Sequence, residues 1–339
     1  MGSGRGGLGA ALRRRLGRGQ VEDEGPDEVA AEAEELITNP WDFYPELQPL
    51  RQTAKAKDWR AVRARLAEID DPGDRARIGS LLTTSLGIEE MLTAAVEENP
   101  EDTDALALLA GRTLVLGWEI RGGGYGSTVS EAQAEAFHEH VERADAMLLD
   151  VTARDPANID AGVGRIIAAR ALSMGGNEVE RRYRQLAEHH PHVLTAQFQA
   201  LQGLLPKWGG EWKGALFFAV ECARAAPPGS PNAALIADYH LEKWLSLPSE
   251  DKWNYIQGHA VRVELVAAAE RSVLHRDYRP GLNWVETHNL FAKALAFADE
   301  DKKAALLFDR LEGRMSGVWT SPTSYVKFRR LTSEAAAEA

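Results

Sequence analysis

A turn dipeptide containing proline recurs along this chain, and each time a helix-like stretch follows it. Asn99-Pro100 precedes EDTDALALLAGR, Asp155-Pro156 precedes ANIDAGVGRIIAAR, and His190-Pro191 precedes HVLTAQFQALQG. Apolar residues then return every three or four positions, the spacing of one buried helix face. That spacing is explicit in Leu106, Leu109, Leu114 and Leu116 near Trp118. It returns in Val163, Ile166, Ile167, Arg170 and Leu172, and again in Leu194, Phe198, Leu201 and Leu205. From about residue 40 to 330, Ala, Leu, Glu and Arg dominate, side chains that lose little freedom in a helix. The β-branched alternation of a strand is hard to find. Asn39-Pro40 and Asp71-Pro72 read as helix entries, a capping side chain followed by Pro at the first helical position. The expectation is an all-α chain of at least ten helices in antiparallel pairs.

Pro156 and Pro191 stand 35 residues apart, close to the 34-residue helix–turn–helix unit of tetratricopeptide arrays. The longer gaps place insertions at residues 121–140 (RGGGYGSTVSEAQAEAFHEH) and at 206–214, the Trp-rich stretch before Pro231. In a repeat array such insertions map to loops, often on the binding face. NWVETHNLFAKALAFADEDKKAALLFDRLEGR at 283–314 resembles one tetratricopeptide unit, with Phe291, Leu295 and Phe297 on its first helix, a turn at Asp299 to Asp301, and Ala304, Ala305, Phe308 and Leu311 on its second. KDWRAVRARLAEID at 57–70 resembles a second helix of such a unit. GWEIRGGGYGS at 117–127 and LPKWGGEWKGALFFA at 205–219, with its Pro-Lys-Trp-Gly-Gly motif, are similar to an uncharacterised bacterial family of helical-repeat proteins. The resemblance covers roughly residues 50–315. It implies a TPR-like α-solenoid of antiparallel helix pairs and brings no mechanism.

Charge divides the chain ends from the body. Residues 1–20 carry five Arg and no acid, residues 21–35 carry eight acids and no base, and the net charge is −12. The expected organisation is a disordered basic-then-acidic arm over 1–38, a single helical-repeat domain over 39–330, and a flexible tail over 331–339. Within the arm, Leu8, Leu12 and Leu16 recur among Arg13, Arg14, Arg15 and Arg18. That pattern suits contact with an anionic membrane or a partner, but a solvated tail is the reading favoured for such a charge block. An acidic body repels phosphate, so the folded part is not expected to bind nucleic acid. The single Cys222 excludes a disulfide framework and cysteine-built metal sites, and fits a reducing, cytoplasmic setting. No apolar run approaches the length of a membrane span, and no secretory signal is expected.

Chemistry-bearing strings are few. Gly122, Gly123, Gly124, Gly126 and Ser127 follow a helix rather than a strand and lack a following Gly-Lys-Ser/Thr, so they read as a helix end and linker, not a phosphate cradle. Glu119 and Arg121 diverge on a helix and need separate partners, and one of them is expected in an interhelix ion pair. Trp208 and Trp212, with Lys207 and the glycines around them, suit a packing plug or a stacking platform; packing is favoured, with Phe217 and Phe218 extending the cluster. Trp118 and Trp208 open the two insertions and are expected on one edge, about a repeat apart. His138, His140, His189, His190 and His192 lack metal-ligand spacing, so no metal or other cofactor is expected. His240 and His288 are expected to hydrogen-bond a neighbouring repeat, and Cys222 to be buried and inert. No nucleophile motif occurs.

The function these features favour is non-enzymatic: a scaffold or adaptor whose concave face takes a protein or peptide. The competing reading is a small-molecule binder or enzyme centred on Arg121, Lys207, Trp208, His240 and Glu242, with the two insertions closing one end of the groove.

Overall fold

The computed structural model describes residues 26–124 and 128–338. The basic leader with its leucines, and Gly126 and Ser127 of the glycine run, lie outside the described residues. Among the described residues there are seventeen α-helices and no strand, only one isolated backbone bridge from Ile37 to Arg314. None of these helices is long and apolar enough to cross a membrane. The body, expected as one domain, divides into two compact units. One is Tyr44–Phe218 with Gly281–Asn283; the other gathers the residues up to Phe43, Ala219–Pro280, and Trp284 onward.

Helix α1 (Pro26–Glu34) belongs to the discontinuous unit. The continuous unit holds α2 (Gln48–Lys55), α3 (Trp59–Leu66), α4 (Pro72–Thr83), α5 (Ile88–Glu98), α6 (Thr103–Arg121), α7 (Glu131–Arg154), α8 (Ile159–Ala171), α9 (Gly176–Ala187) and α10 (Leu194–Gly203). The proline punctuation sets their starts in one register. Helices α6, α8 and α10 each begin three residues after Pro100, Pro156 and Pro191, so those prolines lie in the preceding turn. Asp102 and Asn158 cap the first two, their Oδ1 atoms accepting the Ala105 and Ala161 N–H at 3.1 and 3.0 Å. Pro72 does occupy the first position of α4, with Asp71 Oδ1 accepting from Asp74 N at 2.8 Å. Asn39-Pro40 opens only a 3-10 turn, Pro40–Phe43.

Packing in this unit alternates. Helices α6 and α7 run along each other, α8 packs on α6, α7, α9 and α10, and α4 packs on α6, α8 and α10. One buried cluster includes Leu106, Ala110 and Leu114 of α6, Phe137, Val141, Ala144 and Leu148 of α7, and Ala161, Ala168 and Ala171 of α8. Small residues on α8 let its neighbours come close. A Cβ on Gly164 would stand 2.8 Å from Leu148 of α7, and one on Gly162 would stand 2.7 Å from Leu186 of α9. An ion triad ties three of these helices: Arg75 of α4 reaches Asp160 of α8 at 2.5 Å and Asp104 of α6 at 3.4 Å.

Helix α11 (Trp212–Ala225) starts in the continuous unit and ends in the other. The discontinuous unit then has α12 (Ala234–Ser246), α13 (Lys252–Ile256), α14 (His259–Arg271), α15 (Trp284–Phe297), α16 (Asp301–Leu311) and α17 (Pro322–Glu338). Its axis is α15, buried from Thr287 to Phe297 and packed by α12, α13, α14, α16 and α17. Helices α15 and α16, with Asp299 and Glu300 between them, occupy the 283–314 segment as a helix pair. Aromatic rings of Trp244, Trp253, Phe297, Trp319 and Phe328 pack edge-on or tilted around that axis.

Both ends depart from the sequence expectation. Residues 26–38, expected within the arm, are placed: Val29 is buried, α1 packs on α17, and Glu32 pairs with Arg329 and, at 2.7 Å, Arg330. Ile37 then joins the backbone of Gly313 and Met315 at 3.0 and 2.9 Å. At the other end, where a tail over 331–339 was expected, α17 continues to Glu338 and buries Thr332. The acid run read as solvated supplies the anion that a basic turn almost 300 residues away requires.

Candidate functional site

The C-terminal ends of α6 and α8 and the turn after α10 build an aromatic edge in the continuous unit. Helix α6 stops at Arg121, with Gly122 past it at a φ of 75° that suits glycine. After α10, Pro206–Trp208 forms a 3-10 turn and Gly209 takes a φ of 87°. Gly210 then passes so close to the previous turn that a Cβ there would meet Leu204 O at 2.0 Å. The glycine pair therefore folds the chain back and presents Trp208 to Trp118.

The two indoles meet edge to face, centroids 5.7 Å apart and planes at 87°, and Trp118 also packs 4.8 Å from Phe137. The coupling expected between the insertions is therefore direct ring contact. Arg170, in the last turn of α8, is shared by both rings, its Cζ 5.6 Å from Trp118 and 5.4 Å from Trp208. Arg121 lies 5.5 Å over Trp118 and donates to the Gly122 and Gly124 carbonyls at 3.1 and 3.2 Å. Cations here complement the negative ends of two helices as well as the ring faces. Both indoles remain partly exposed, and Lys207 beside them is exposed. Such an edge can stack planar groups and attract acidic ones. Trp212 is half-buried at the start of α11, whereas Phe217, expected in the cluster, is 69% exposed; Phe218 packs on Tyr183 at 5.0 Å.

The interhelix ion pair expected of Glu119 or Arg121 falls elsewhere. Arg112, buried in α6, donates through Nε to Glu89 of α5 at 2.6 Å and through Nη1 to Glu119 of its own helix at 3.0 Å. Sequence reasoning missed both Arg112 and Arg170. The available signal was each arginine's position inside an otherwise apolar helical stripe, which calls for an anion or a ring face.

His240 and Glu242 lie on α12, in the other unit. His240 is buried; its Nε2–H donates to Glu264 at 2.9 Å while Nδ1 accepts the Tyr255 hydroxyl at 2.7 Å. Burial pushes its pKa down, against the pull of Glu264. The histidine thus ties α12 to its neighbours α13 and α14. Glu242 and Asp238 raise the proton affinity of Lys293, yet burial brings that ammonium down to about 8, and it donates to Val318 O at 2.6 Å. His288 departs from expectation, its Nδ1–H donating to Trp284 O within its own helix at 2.9 Å. His140 likewise bonds Ala136 O of its own helix, and His190 bonds Ala157 O. Among the described residues no group of three His, Cys, Asp or Glu is placed to hold a metal, and Cys222 is buried. The residues of the small-molecule reading are divided, Arg121, Lys207 and Trp208 in one unit and His240 and Glu242 in the other.

Neither a scan of family models nor a search of curated proteins returns a match to this chain.

Proposed function

We propose that the chain is a non-enzymatic binding module, a TPR-like helical array that holds a protein or peptide partner against the edge formed by Trp118, Arg170 and Trp208. The observation that carries this reading is the Arg170 guanidinium shared by two indoles that stay partly exposed. Two indoles left partly accessible and ringed by Arg121, Arg170 and Lys207 have the composition of an interface anchor. The TPR-like part is supported by the alternation of α4, α6, α8 and α10 with their outer neighbours and by the shared proline register. The preferred partner segment is acidic with an aromatic residue, matching cations and rings.

The test is a library of acidic, aromatic-bearing peptides presented to the full chain, with affinities of the selected peptides read by fluorescence anisotropy. Lys207→Glu and Arg121→Glu should each weaken them about tenfold or more, since charge reversal at an interface opposes the partner's charge, with an unchanged helical circular dichroism spectrum. Absence of any selected peptide, or affinities indifferent to both charge reversals, rejects the reading.

A further inference from the structure

A cavity of about 300 Å³ opens beside α8, walled by the end of α7, the Pro156 turn and α9. Leu149, Ala153, Pro156 and Leu186 make much of its wall apolar, and two arginines reach it, Arg165 from α8 and Arg182 from α9. The two are employed differently. Arg182 is buried and fully engaged: it holds both oxygens of Asp145 at 2.6 and 3.1 Å, Glu178 at 2.8 Å and the Arg165 carbonyl at 2.8 Å. Arg165 makes one long bond, from Nη1 to Thr152 Oγ1 at 3.3 Å, and its buried Nε finds no protein acceptor. Asp145 Oδ1 is 3.9 Å away and already belongs to Arg182. Glu178 is likewise shared between Arg181 and Arg182. Of the two arginines on the wall, Arg165 is therefore the one with no carboxylate at hydrogen-bond distance. Burial and the nearby Arg182 charge both lower the proton affinity of Arg165, which remains a cation as every arginine does.

A buried donor without an acceptor is costly unless something supplies one. The geometry points to a small organic monoanion as the occupant: a carboxylic acid with a short-chain or single-ring body, its carboxylate on Arg165 and its body against Leu149, Ala153 and Leu186. The volume lies at the lower end of ligand pockets, so the body is small. A guanidinium with no carboxylate at hydrogen-bond distance suits one negative charge, and a carboxylate matches its fork. A phosphate dianion would instead confront Asp145 and Glu178, with Glu188 also on the wall. This site is separate from the aromatic edge, and neither reading depends on the other.

The experiment is calorimetric titration of the full chain with hexanoate, benzoate, the neutral amides of both, and inorganic phosphate at matched ionic strength. Saturable binding of at least one acid is expected, weakened about tenfold or more in its amide, because the charge-assisted bonds are lost; phosphate should not saturate. Arg165→Gln should weaken the acid by a similar factor. Ala153→Trp, at an exposed position on the cavity wall, should abolish binding with the melting temperature unchanged, and it decides the matter if Arg165→Gln fails to fold. No saturable binding by either acid, binding of the amide or of phosphate equal to that of the acid, or full affinity in Ala153→Trp overturns the proposal.

Discussion

His288 sits in the buried axis of the discontinuous unit, and burial, reinforced by the charge of Arg310, pushes its pKa down to about 4. The unfolded chain carries an ordinary histidine, near 6.5. Between those values the unfolded state binds a proton that the native state refuses, so stability falls as pH drops from about 6.5 towards 4. His240 is shifted in the same direction by its own burial and adds to the loss. Denaturant melts at pH 7 and pH 5 should show a smaller acid loss for His288→Asn, whose amide can still donate to Trp284 O; identical losses in the two proteins would reject the assignment. Lys293 works at the other end of the scale. Burial lowers its pKa to about 8 in the native state while the unfolded lysine stays near 10.5. Over that window the native state releases its proton first, so stability rises with pH from about 8. Above about 10 the trend reverses, because burial raises the Tyr278 hydroxyl to about 12 and the unfolded chain ionises first. Lys293→Met should flatten the rise between pH 8 and 10, and an unchanged rise would remove Lys293 as its source.

The turn from Leu205 to Gly210 is the element on which the aromatic edge depends. A Cβ at Gly210 collides with the Leu204 carbonyl, so Gly210→Ala must open the turn and lift Trp208 from Trp118. The expected loss is about 2 kcal/mol, in the range of forced overpacking, together with a shift of tryptophan emission. Gly214, four residues on, lies exposed in α11 with nothing near its missing Cβ. Gly214→Ala should therefore stabilise the chain by about 0.5–1 kcal/mol, the ordinary helix preference. If the two substitutions have the same effect, the close approach at Gly210 is not what shapes the turn. The helical elements and the placing of Trp118 and Trp208 on one edge were legible in the sequence, because apolar spacing and proline register are local signals; their direct ring contact was not. Arg170 and Arg112 were hidden for a different reason: an arginine within an apolar stripe announces a need without naming its partner. Helix α1 was hidden more deeply, since the partners of Glu32 lie 297 and 298 positions along the chain and leave no trace in the local composition.

At the scale of the whole chain, the two units differ in how their cores are assembled. In the continuous unit one buried cluster comes from the consecutive helices α6, α7 and α8, and its longer-range closures are α4 on α8 and α10 and the short return of Gly281–Asn283, where Leu282 N donates to Asp74 Oδ1. The discontinuous unit is closed by segments far apart in sequence, and its axis, α15, arrives only after residue 283. Low separation between contacting residues lets a structure form early and alone, whereas long-range closure must wait for its last segment. A chain ending at Asn283 keeps every residue assigned to the first unit and removes α15, α16 and α17 from the second. Hydrogen exchange on that shortened chain should therefore show α6 to α10 as protected as in the full protein. Over the same time, α12 and α14, which pack on α15 in the full chain, should exchange freely, and so should α1, whose ion-pair partners Arg329 and Arg330 are gone. Retained protection in α12 and α14 would mean that α15 is not what holds the second unit together, and lost protection in α6 to α10 would mean that the first unit does not fold alone.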